Sequence, residues 1–299
     1  MMGLGALIRR NVKLYFKDKG MFFTSLITPM ILLVLYGTFL RNVYVDSFRS
    51  ALEQAGATAP DALINGCVGG QLITSLLAVS CVTVAFCSNL LMVQDKISGA
   101  RYDLTITPVK PSTLALGYYL ATLISSLIIA LIATGICLGY LAVTGWYLTA
   151  WDVAELLLNV VLLVLFGTAL SSCVIFPLST QGQASAVGTI VSSAYGFICG
   201  AYMPISNFSS GLQKVLSFLP GTYGTSLLRN HALAGAYREM ARVGFPAEVI
   251  EAIRDSIDCN LYFFGRNVSV GGMYAVLVGA TLLLVGLYVL LNAVRRERT

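Results

Sequence analysis

Residues that could transfer protons or hold ions are scarce in this 299-residue chain. The one histidine is His231, and the one acid inside a long apolar run is Glu155, three residues after Asp152 and close to the start of that run. An integral enzyme or an ion-driven pump needs titratable groups at membrane depth. We expect Asp152 and Glu155 to lie at the outer headgroup level and His231 to be structural, which disfavours both catalysis and a proton relay.

A second group of polar residues interrupts the apolar sequence at 94–112, which reads QDKISGARYDLTITPVKPS. Runs of at least 30 uncharged residues flank its charged positions on both sides. Gln94 to Tyr102 can form a short amphipathic helix, and Pro108 and Pro111 then redirect the chain, because proline lacks a backbone donor. The stretch is either a lever held between two long helices or an ordinary turn, and the residues alone leave both interpretations open.

The composition determines what kind of scaffold must position these residues. Hydrophobic residues make up 57% of the chain and charged residues 11%, and the mean hydropathy is +0.80. A soluble domain carries about 25% charged residues, and a globule of this size could not cover its surface with so few. We therefore predict an all-α polytopic membrane protein.

Apolar runs of about 20 residues are long enough to cross a hydrocarbon core of about 30 Å. The sequence contains six such runs, at residues 21–40, 66–92, 113–143, 153–176, 182–203 and 271–292. We interpret residues 1–299 as a single membrane domain with these six transmembrane helices.

The distribution of lysine and arginine orients the six spans. If the N-terminus is inside, residues 1–20, 93–112, 177–181 and 293–299 face the cytoplasm and hold 11 basic residues against 4 acids. The remainder of the chain holds 8 basic residues and 10 acids. Both termini and the 94–112 stretch are therefore predicted to be cytoplasmic.

Two of the segments outside the spans have the pattern of further helices. Residues 1–20 have the pattern of an amphipathic helix in the membrane interface, with Leu7 on the apolar face and Arg9 on the polar face. Residues 204–270 form the one sizeable region beyond the membrane. Within it, residues 246–257 have the pattern of an outer amphipathic helix.

Small residues recur at every fourth position of the fifth run, and such a stripe lets another helix approach closely. They are Ala184, Gly188, Ser192, Gly196 and Gly200. The stripe is either a contact with a neighbouring span or a seam between two copies of the chain. Candidates to line a path through the membrane are Gln71, Ser75 and Tyr195.

The sequence contains no motor of its own. It has no GxxxxGK[ST] loop to hold nucleotide phosphates, so any energy must come from outside the chain. Five of its seven cysteines lie well inside apolar runs, and Cys67 is the second residue of its run, at the outer end. Cys67 and Cys259 are both predicted outside, and whether they form a disulfide stays open.

The 94–112 stretch resembles the first cytoplasmic loop of type-2 ABC exporter permeases, which are membrane subunits driven by a separate ATP-binding subunit. The matching residues are Asp95, Lys96, Gly99, Leu104 and the tripeptide from Thr107 to Val109. Ala100 replaces a threonine of the family pattern, and the second acid is shifted to Asp103.

In that family the loop forms a coupling helix that fits a groove on the ATPase. The resemblance implies that residues 95–107 are this helix, with the charges contacting the ATPase. The coupling residues would then be Asp95, Lys96, Gly99, Arg101, Asp103, Leu104 and Pro108.

A second match follows the fifth run, where permeases of this family show Gly-x-x-x-Pro, an apolar helix, a proline followed by a tyrosine, and an arginine. The corresponding positions are Gly200, Pro204, 212–219, Pro220, Tyr223 and Arg229. In relatives such segments re-enter the outer leaflet and help to close the exit. The resemblance implies re-entrant helices here, ahead of the outer helical segment.

The resemblance also implies partners. They are a cytoplasmic ABC ATP-binding subunit that holds ATP and magnesium, a second copy or a paralogue of this permease, and membrane lipids, but no nucleic acid. The chain would itself have no catalytic residue, metal or cofactor, and would lie in the bacterial cytoplasmic membrane. It would export an amphipathic substrate such as a drug, lipid, glycan or peptide. The alternatives left open are a membrane-embedded binding or immunity protein that does not pump and an integral lipid-modifying enzyme.

Overall fold

A computed structural model describes residues 3–54, 59–107 and 109–296 of the chain. Its α-helices are α1 Leu4–Lys17, α2 Lys19–Leu35, α3 Arg41–Gln54, α4 Asp61–Asn89, α5 Leu91–Ile97, α6 Ala100–Thr105, α7 Pro111–Thr144, α8 Ala150–Ile175, α9 Gln181–Ile198, α10 Ser210–Leu216, α11 Pro220–Val243, α12 Ala247–Ser256 and α13 Val270–Arg296. A π-helical turn, Tyr36–Leu40, joins α2 to α3, and a 3-10 turn, Ile205–Asn207, precedes α10.

The helical membrane fold agrees with the prediction, except for a short hairpin. Strands β1 Leu261–Phe263 and β2 Arg266–Val268 pair antiparallel, with Leu261 opposite Val268. Phe264 and Gly265 between them both have positive φ, 48° and 83°. This is the geometry of a two-residue turn that matches the twist of the strands.

Within the described residues, five helices are long and apolar enough to cross a membrane: Lys19–Leu40, Asp61–Ile97, Pro111–Thr144, Ala150–Ile175 and Val270–Ala293. They coincide with five of the six predicted spans, within a few residues at most ends. The predicted span 182–203 corresponds to α9, whose glycine, serine and glutamine residues make it less apolar than the other five.

Helix α9 also ends five residues before the predicted boundary at 203. Gly200 has a φ of +73°, which glycine adopts without the steric cost that a Cβ would bring. The amides of Ala201 and Tyr202 both donate to the carbonyl of Gly196, at 2.9 and 3.0 Å. These bonds satisfy the end of the helix and turn the chain toward the outer segment.

Helix α4 is the centre of the molecule. Every residue from Gly66 to Asn89 is buried, because α2, α7, α8, α9 and α11 all pack around this helix. A helix that is apolar on all sides is expected in such a position. At Gly167 of α8 the two backbones are in direct contact, since an added Cβ would lie 3.0 Å from the carbonyl oxygen of Cys81.

Helix α1 confirms the amphipathic pattern at the N-terminus, although its buried face also contains a polar residue, Asn11. Leu7, Asn11 and Tyr15 form its buried face, while Arg9 and Lys13 are exposed. It lies along α7, where Gly117 leaves room for Leu7. The tyrosine is held by its hydroxyl, which donates to Ser25 at 2.7 Å.

The outer region contains more helix than the sequence indicated. Helix α11 runs for 24 residues from Pro220 and packs on α4, α8 and α13. The family resemblance singled out only Pro220, Tyr223 and Arg229, all in the first half of this helix. Helix α10 occupies Ser210–Leu216 instead of the predicted 212–219. Helix α12 confirms the outer helix expected at 246–257.

Candidate functional site

The 94–112 stretch folds as two short helices, α5 and α6, with a break at Gly99. Gly99 has a φ of +81°, a left-handed conformation that favours glycine. Its carbonyl accepts from the amides of Tyr102 and Asp103, at 2.8 and 3.2 Å. The predicted single helix over 95–107 is therefore a bent pair of helices, and Pro108 lies outside the described residues.

Asp95 joins three elements at this loop. Arg10 of α1 binds it with both terminal nitrogens, at 2.6 and 3.1 Å, and the hydroxyl of Tyr118 of α7 donates to it at 2.6 Å. The hydrogen bond to this carboxylate is the main cause that raises the pKa of Arg10. The carboxylate is 4% exposed, so it fastens the loop to α1 and α7 and does not face the cytoplasm.

Lys96 fastens the same loop to α8. Its ammonium group donates to the carbonyls of Phe176 and Leu178, just past the last turn of that helix, at 2.6 and 2.5 Å. The ammonium lies 5.7 Å from the Phe176 ring centre, and the guanidinium of Arg101 lies 5.8 Å from it. Both cations therefore lie beside this ring, and their contact with an ATPase stays a prediction.

Other side chains of the loop point away from the protein. Tyr102 is 71% exposed, Ile106 is 68% exposed, and Asp103 and Ile97 are exposed beside them. We call these four residues the cytoplasmic patch. Leu104 is buried beneath it. A rigidly held apolar patch with a charge at its edge is typical of a protein contact.

A groove of about 960 Å³ opens between α2 and α9. Its walls carry apolar side chains from α2 and hydroxyl groups from α9, with Asp18 as the one charged residue among the described lining residues. The lining includes Thr24, Ile27, Ile31, Leu35, Tyr36, Ser185, Gly188, Thr189, Ser192, Ser193 and Phe197.

The stripe of small residues on α9 divides between this groove and the interior. Gly188 and Ser192 line the groove, and an added Cβ at Gly188 would meet nothing within 4 Å. Ala184 is buried at the groove wall. Gly196 instead faces Tyr202, whose ring an added Cβ would approach to 2.3 Å. Gly200 forms the turn after the helix.

The three candidates to line a path lie inside the single chain. Gln71 and Ser75 of α4 and Tyr195 of α9 are all buried in the core, and none of them is among the described residues that line the α2–α9 groove. A role for them in a path stays a prediction.

The outer residues that the sequence singled out surround a buried ion pair. Arg229 of α11 is 1% exposed and donates to the carbonyl of Gly200 at 2.6 Å, and it lies 3.4 Å from Asp258. Asp258 also accepts from the amides of Ile205 and Ser206. Asp258 was missed by sequence reasoning, because nothing in a loop aspartate signals a partner 29 positions earlier.

The remaining outer residues end helices or fix turns. Pro204 precedes the 3-10 turn, and Pro220 begins α11 at a position where a missing amide proton costs nothing. The hydroxyl of Tyr223 donates to the carbonyl of Ser217 at 2.6 Å, which fixes the turn between α10 and α11.

The scarce titratable residues near the start of α8 pair with α11. Asp152 caps α8 by accepting from the amide of Thr149 at 2.7 Å and binds Arg238. Glu155 lies 2.6 Å from His231, whose other ring nitrogen is 3.2 Å from the hydroxyl of Tyr274. The sequence predicted that Asp152 and Glu155 lie at the outer headgroup level, but it did not predict their partners on α11. They tie helices together, as expected of structural residues.

The cysteines are free thiols in this structure, including Cys67 and Cys259. Burial raises the pKa of the Cys259 thiol to about 11, so it stays protonated at neutral pH and is a poor nucleophile. Among the described residues, no group of three or more histidine, cysteine or acidic side chains is placed to hold a metal ion.

These features define a helical membrane protein whose 94–112 loop is fixed to the ends of its long apolar helices and carries an exposed, largely apolar patch. The chain matches the model of the family described as ABC-2 type transporter over residues 2–232, and it belongs to that family. It is therefore the membrane component of an ABC transporter, in a family whose members are generally not catalytic themselves and work with an ATP-binding subunit. Comparison with curated proteins gave no match.

Proposed function

We propose that this chain is the transmembrane half-subunit of an ATP-driven exporter and that the cytoplasmic patch receives the ATPase. The observation that carries the proposal is the way the loop is held. Its exposed face is apolar, while its buried charges fasten it to α1, α7 and α8. Because the loop is held in this way, a displacement of its exposed face is transmitted to α1, α7 and α8 together.

The coupling step follows from these contacts. ATP, held with magnesium in the partner subunit, closes the ATPase pair and displaces α6. Asp95 carries the displacement to α1 through Arg10 and to α7 through Tyr118. Lys96 carries it to the end of α8. The role of Asp95 and Lys96 in this proposal is to fasten the loop, and Tyr102, Asp103 and Ile106 make the contact with the ATPase.

The α2–α9 groove supports pairing with a second permease. It is open along one side of the chain and is lined by apolar and hydroxyl groups, so a second copy or a paralogue would close it into a path. Because Asp18 is the one charged residue among the described residues that line the groove, such a path suits an amphipathic molecule such as a drug, lipid, glycan or hydrophobic peptide. Cargo would leave past the outer segment that Arg229 holds.

The topology that fits this function has six spans and two cytoplasmic termini, with α9 as the fifth span. Its 18 residues are near the lower limit for crossing a bilayer, and the small outer helices α10 and α12 then lie above it. The excess of lysine and arginine at the loop end of the molecule supports this orientation in a bacterial cytoplasmic membrane.

Purification from native membranes in mild detergent, followed by mass spectrometry, tests the ATPase contact. We expect an ATP-binding subunit to accompany the chain and to be lost from a variant with Tyr102→Ala and Ile106→Ala. Tyr262→Ala removes an exposed tyrosine from the outer hairpin and is the matched control. A chain that comes out stable and alone would overturn the exporter proposal in favour of a membrane-embedded binding protein.

Gly188 tests the proposed seam, because an added side chain there enters the open groove. We expect Gly188→Leu to reduce recovery of the paired form in mild detergent while the chain stays folded. Gly135→Leu on α7, where an added Cβ also meets nothing within 4 Å, is the control. Gly196→Leu is a poorer test, since it collides with Tyr202 of the same chain. Unchanged recovery with Gly188→Leu would contradict the seam.

A further inference from the structure

A pocket of about 330 Å³ lies beside the cytoplasmic loop, on the side away from the α2–α9 groove. It is bounded by α5 and α6, the start of α7, the end of α8 and the end of α13. Lys96, Tyr102 and Tyr118 line it and also take part in the coupling contacts proposed above, but that proposal leaves the cavity itself without an occupant. Its position and its lining point to a ligand of a particular kind.

The charged part of the lining is cationic. Lys96 and Arg101 both line the pocket, and no acidic side chain is among the lining residues in the described part of the chain. Both cations lie within 6 Å of the Phe176 ring centre, and this ring packs edge to face on Tyr288 at 5.9 Å. The charges are thus held near one wall by neighbouring groups and are not spread over a flexible surface.

The other part of the lining is apolar. Met92, Leu114, Ala115 and Phe176 form it, and the hydroxyl of Tyr288 is occupied by the carbonyl of Ala115 at 3.2 Å. A small, fully hydrated anion would leave this surface unused. A ligand with an anionic group attached to apolar chains would use both parts.

The depth of the pocket in the membrane fits such a ligand. Helix α7 begins at Pro111 and α8 ends at Ile175, and both Pro111 and the neighbouring Phe176 line the pocket. The ends of membrane helices lie at the level of the lipid headgroups. Helix α1, which its sequence pattern predicts to lie in the membrane interface, reaches the same loop through Arg10.

We propose that this pocket binds the phosphate group of an anionic phospholipid from the cytoplasmic leaflet. Arg101 faces the phosphate, Lys96 adds its positive charge from its place on the carbonyls of Phe176 and Leu178, and the acyl chains leave along α7 and α13. Arginine is suited to phosphate because its guanidinium presents several donors in one plane. A bound lipid would hold α6 against α8 and α13, so the lipid composition of the membrane would regulate how firmly the loop is fastened. The site does not depend on what the transporter carries.

Lipid binding to the full chain, purified with any subunits that accompany it, tests the proposal by native mass spectrometry. Dioleoylphosphatidylglycerol is the probe, with dioleoylphosphatidylcholine as the neutral lipid of equal chain length. We expect one phosphatidylglycerol to be retained at concentrations where phosphatidylcholine is not. Arg101→Gln should weaken this retention by about tenfold or more, the size of a lost charge-assisted hydrogen bond.

Two further variants separate the pocket from general attraction to an anionic surface. Ala115→Leu fills the apolar part without changing charge and should also weaken retention. Lys110→Gln removes an exposed cation from the same loop that does not line the pocket. It should lower retention by no more than about fivefold, the effect of one surface cation. An unchanged elution volume in size-exclusion chromatography shows that each variant is folded.

Four results would overturn the proposal. Equal loss with Lys110→Gln and Arg101→Gln would mean general surface attraction. Displacement of the lipid by millimolar inorganic phosphate would identify a site for the free ion. Loss of the lipid whenever the ATP-binding subunit is present would make the pocket part of a protein contact. Equal retention of phosphatidylcholine would show that the charge is not recognised.

Discussion

The cytoplasmic loop and the outer segment are each held by an ion pair with a buried aspartate, but only the loop keeps an apolar face exposed. Each has a buried aspartate that an arginine from another helix holds, Asp95 with Arg10 in the loop and Asp258 with Arg229 outside. In the loop this leaves an apolar face exposed. In the outer segment the arginine is itself buried and the ion pair holds only the chain's own turns.

The difference shows that one ion pair can hold a loop with part of its surface exposed, while another can hold a segment folded onto the rest of the chain. Arg10 is partly exposed, so water reaches one side of the Asp95 pair. Arg229 is enclosed by α11, the turn after α9 and the loop before β1. Breaking it would leave a charge in a dry environment, which is far more costly.

The largest effect is expected at the outer pair. Arg229→Met leaves Asp258 buried without its counter-ion and should lower the free energy of unfolding by about 3–5 kcal/mol. Thermal unfolding in detergent measures this change. Arg266→Met, at an exposed position of the hairpin, is the control and should have little effect. If both variants unfold at the same temperature, the outer pair does not fasten the segment.

The cytoplasmic pair should give a smaller effect, because Arg10 is partly exposed and water can reach the pair. Arg10→Ala should lower the free energy of unfolding by about 2 kcal/mol, and Arg9→Ala, its exposed neighbour, should not. Adding Asp95→Ala to Arg10→Ala should recover part of the loss, because the stranded carboxylate is then removed. If the double variant loses as much free energy of unfolding as Arg10→Ala and Asp95→Ala lose together when each is measured alone, the two side chains act independently.

The smallest effect on stability is expected at the cytoplasmic patch itself. Asp103→Lys changes an exposed charge, so the free energy of unfolding should stay within about 0.5 kcal/mol. Since Asp103 faces the proposed partner, stimulation of ATP hydrolysis by the permease should nevertheless fall. Glu248→Lys, at an exposed position near the start of α12, is the matched control for charge reversal. Full stimulation with Asp103→Lys would place the ATPase contact elsewhere.

Most of the fold could be predicted from the sequence, because a bilayer imposes a length and a polarity on each span. The bounds of α7 and α8 follow from their apolar runs within three residues. Helix α9 was less predictable, since Gly200 ends the helix in the middle of an apolar stretch. Helix α11 carries polar residues on several sides and has no clear apolar face, so its length follows from its packing on α4, α8 and α13.

The candidate site was predictable in place but not in its contacts. The residues 94–112 stand out because charge is rare around them. The direction of each side chain depends on partners far away in the chain, such as Arg10 for Asp95 and Phe176 for Lys96. No local pattern contains that information. For the same reason the pairing of Glu155 with His231 and the place of Asp258 were not foreseen.

The sequence by itself determined that this protein is helical, lies in a membrane, has no nucleotide-binding loop and carries one polar loop between long apolar helices. These properties follow from composition and from the spacing of charges, because a bilayer has a fixed thickness and an apolar interior that constrain each span by itself. Only the tertiary structure decided which charges of that loop fasten it and which residues remain exposed. It also decided where the groove and the cationic pocket open, because these depend on helices that are distant in sequence and meet only when the chain is packed.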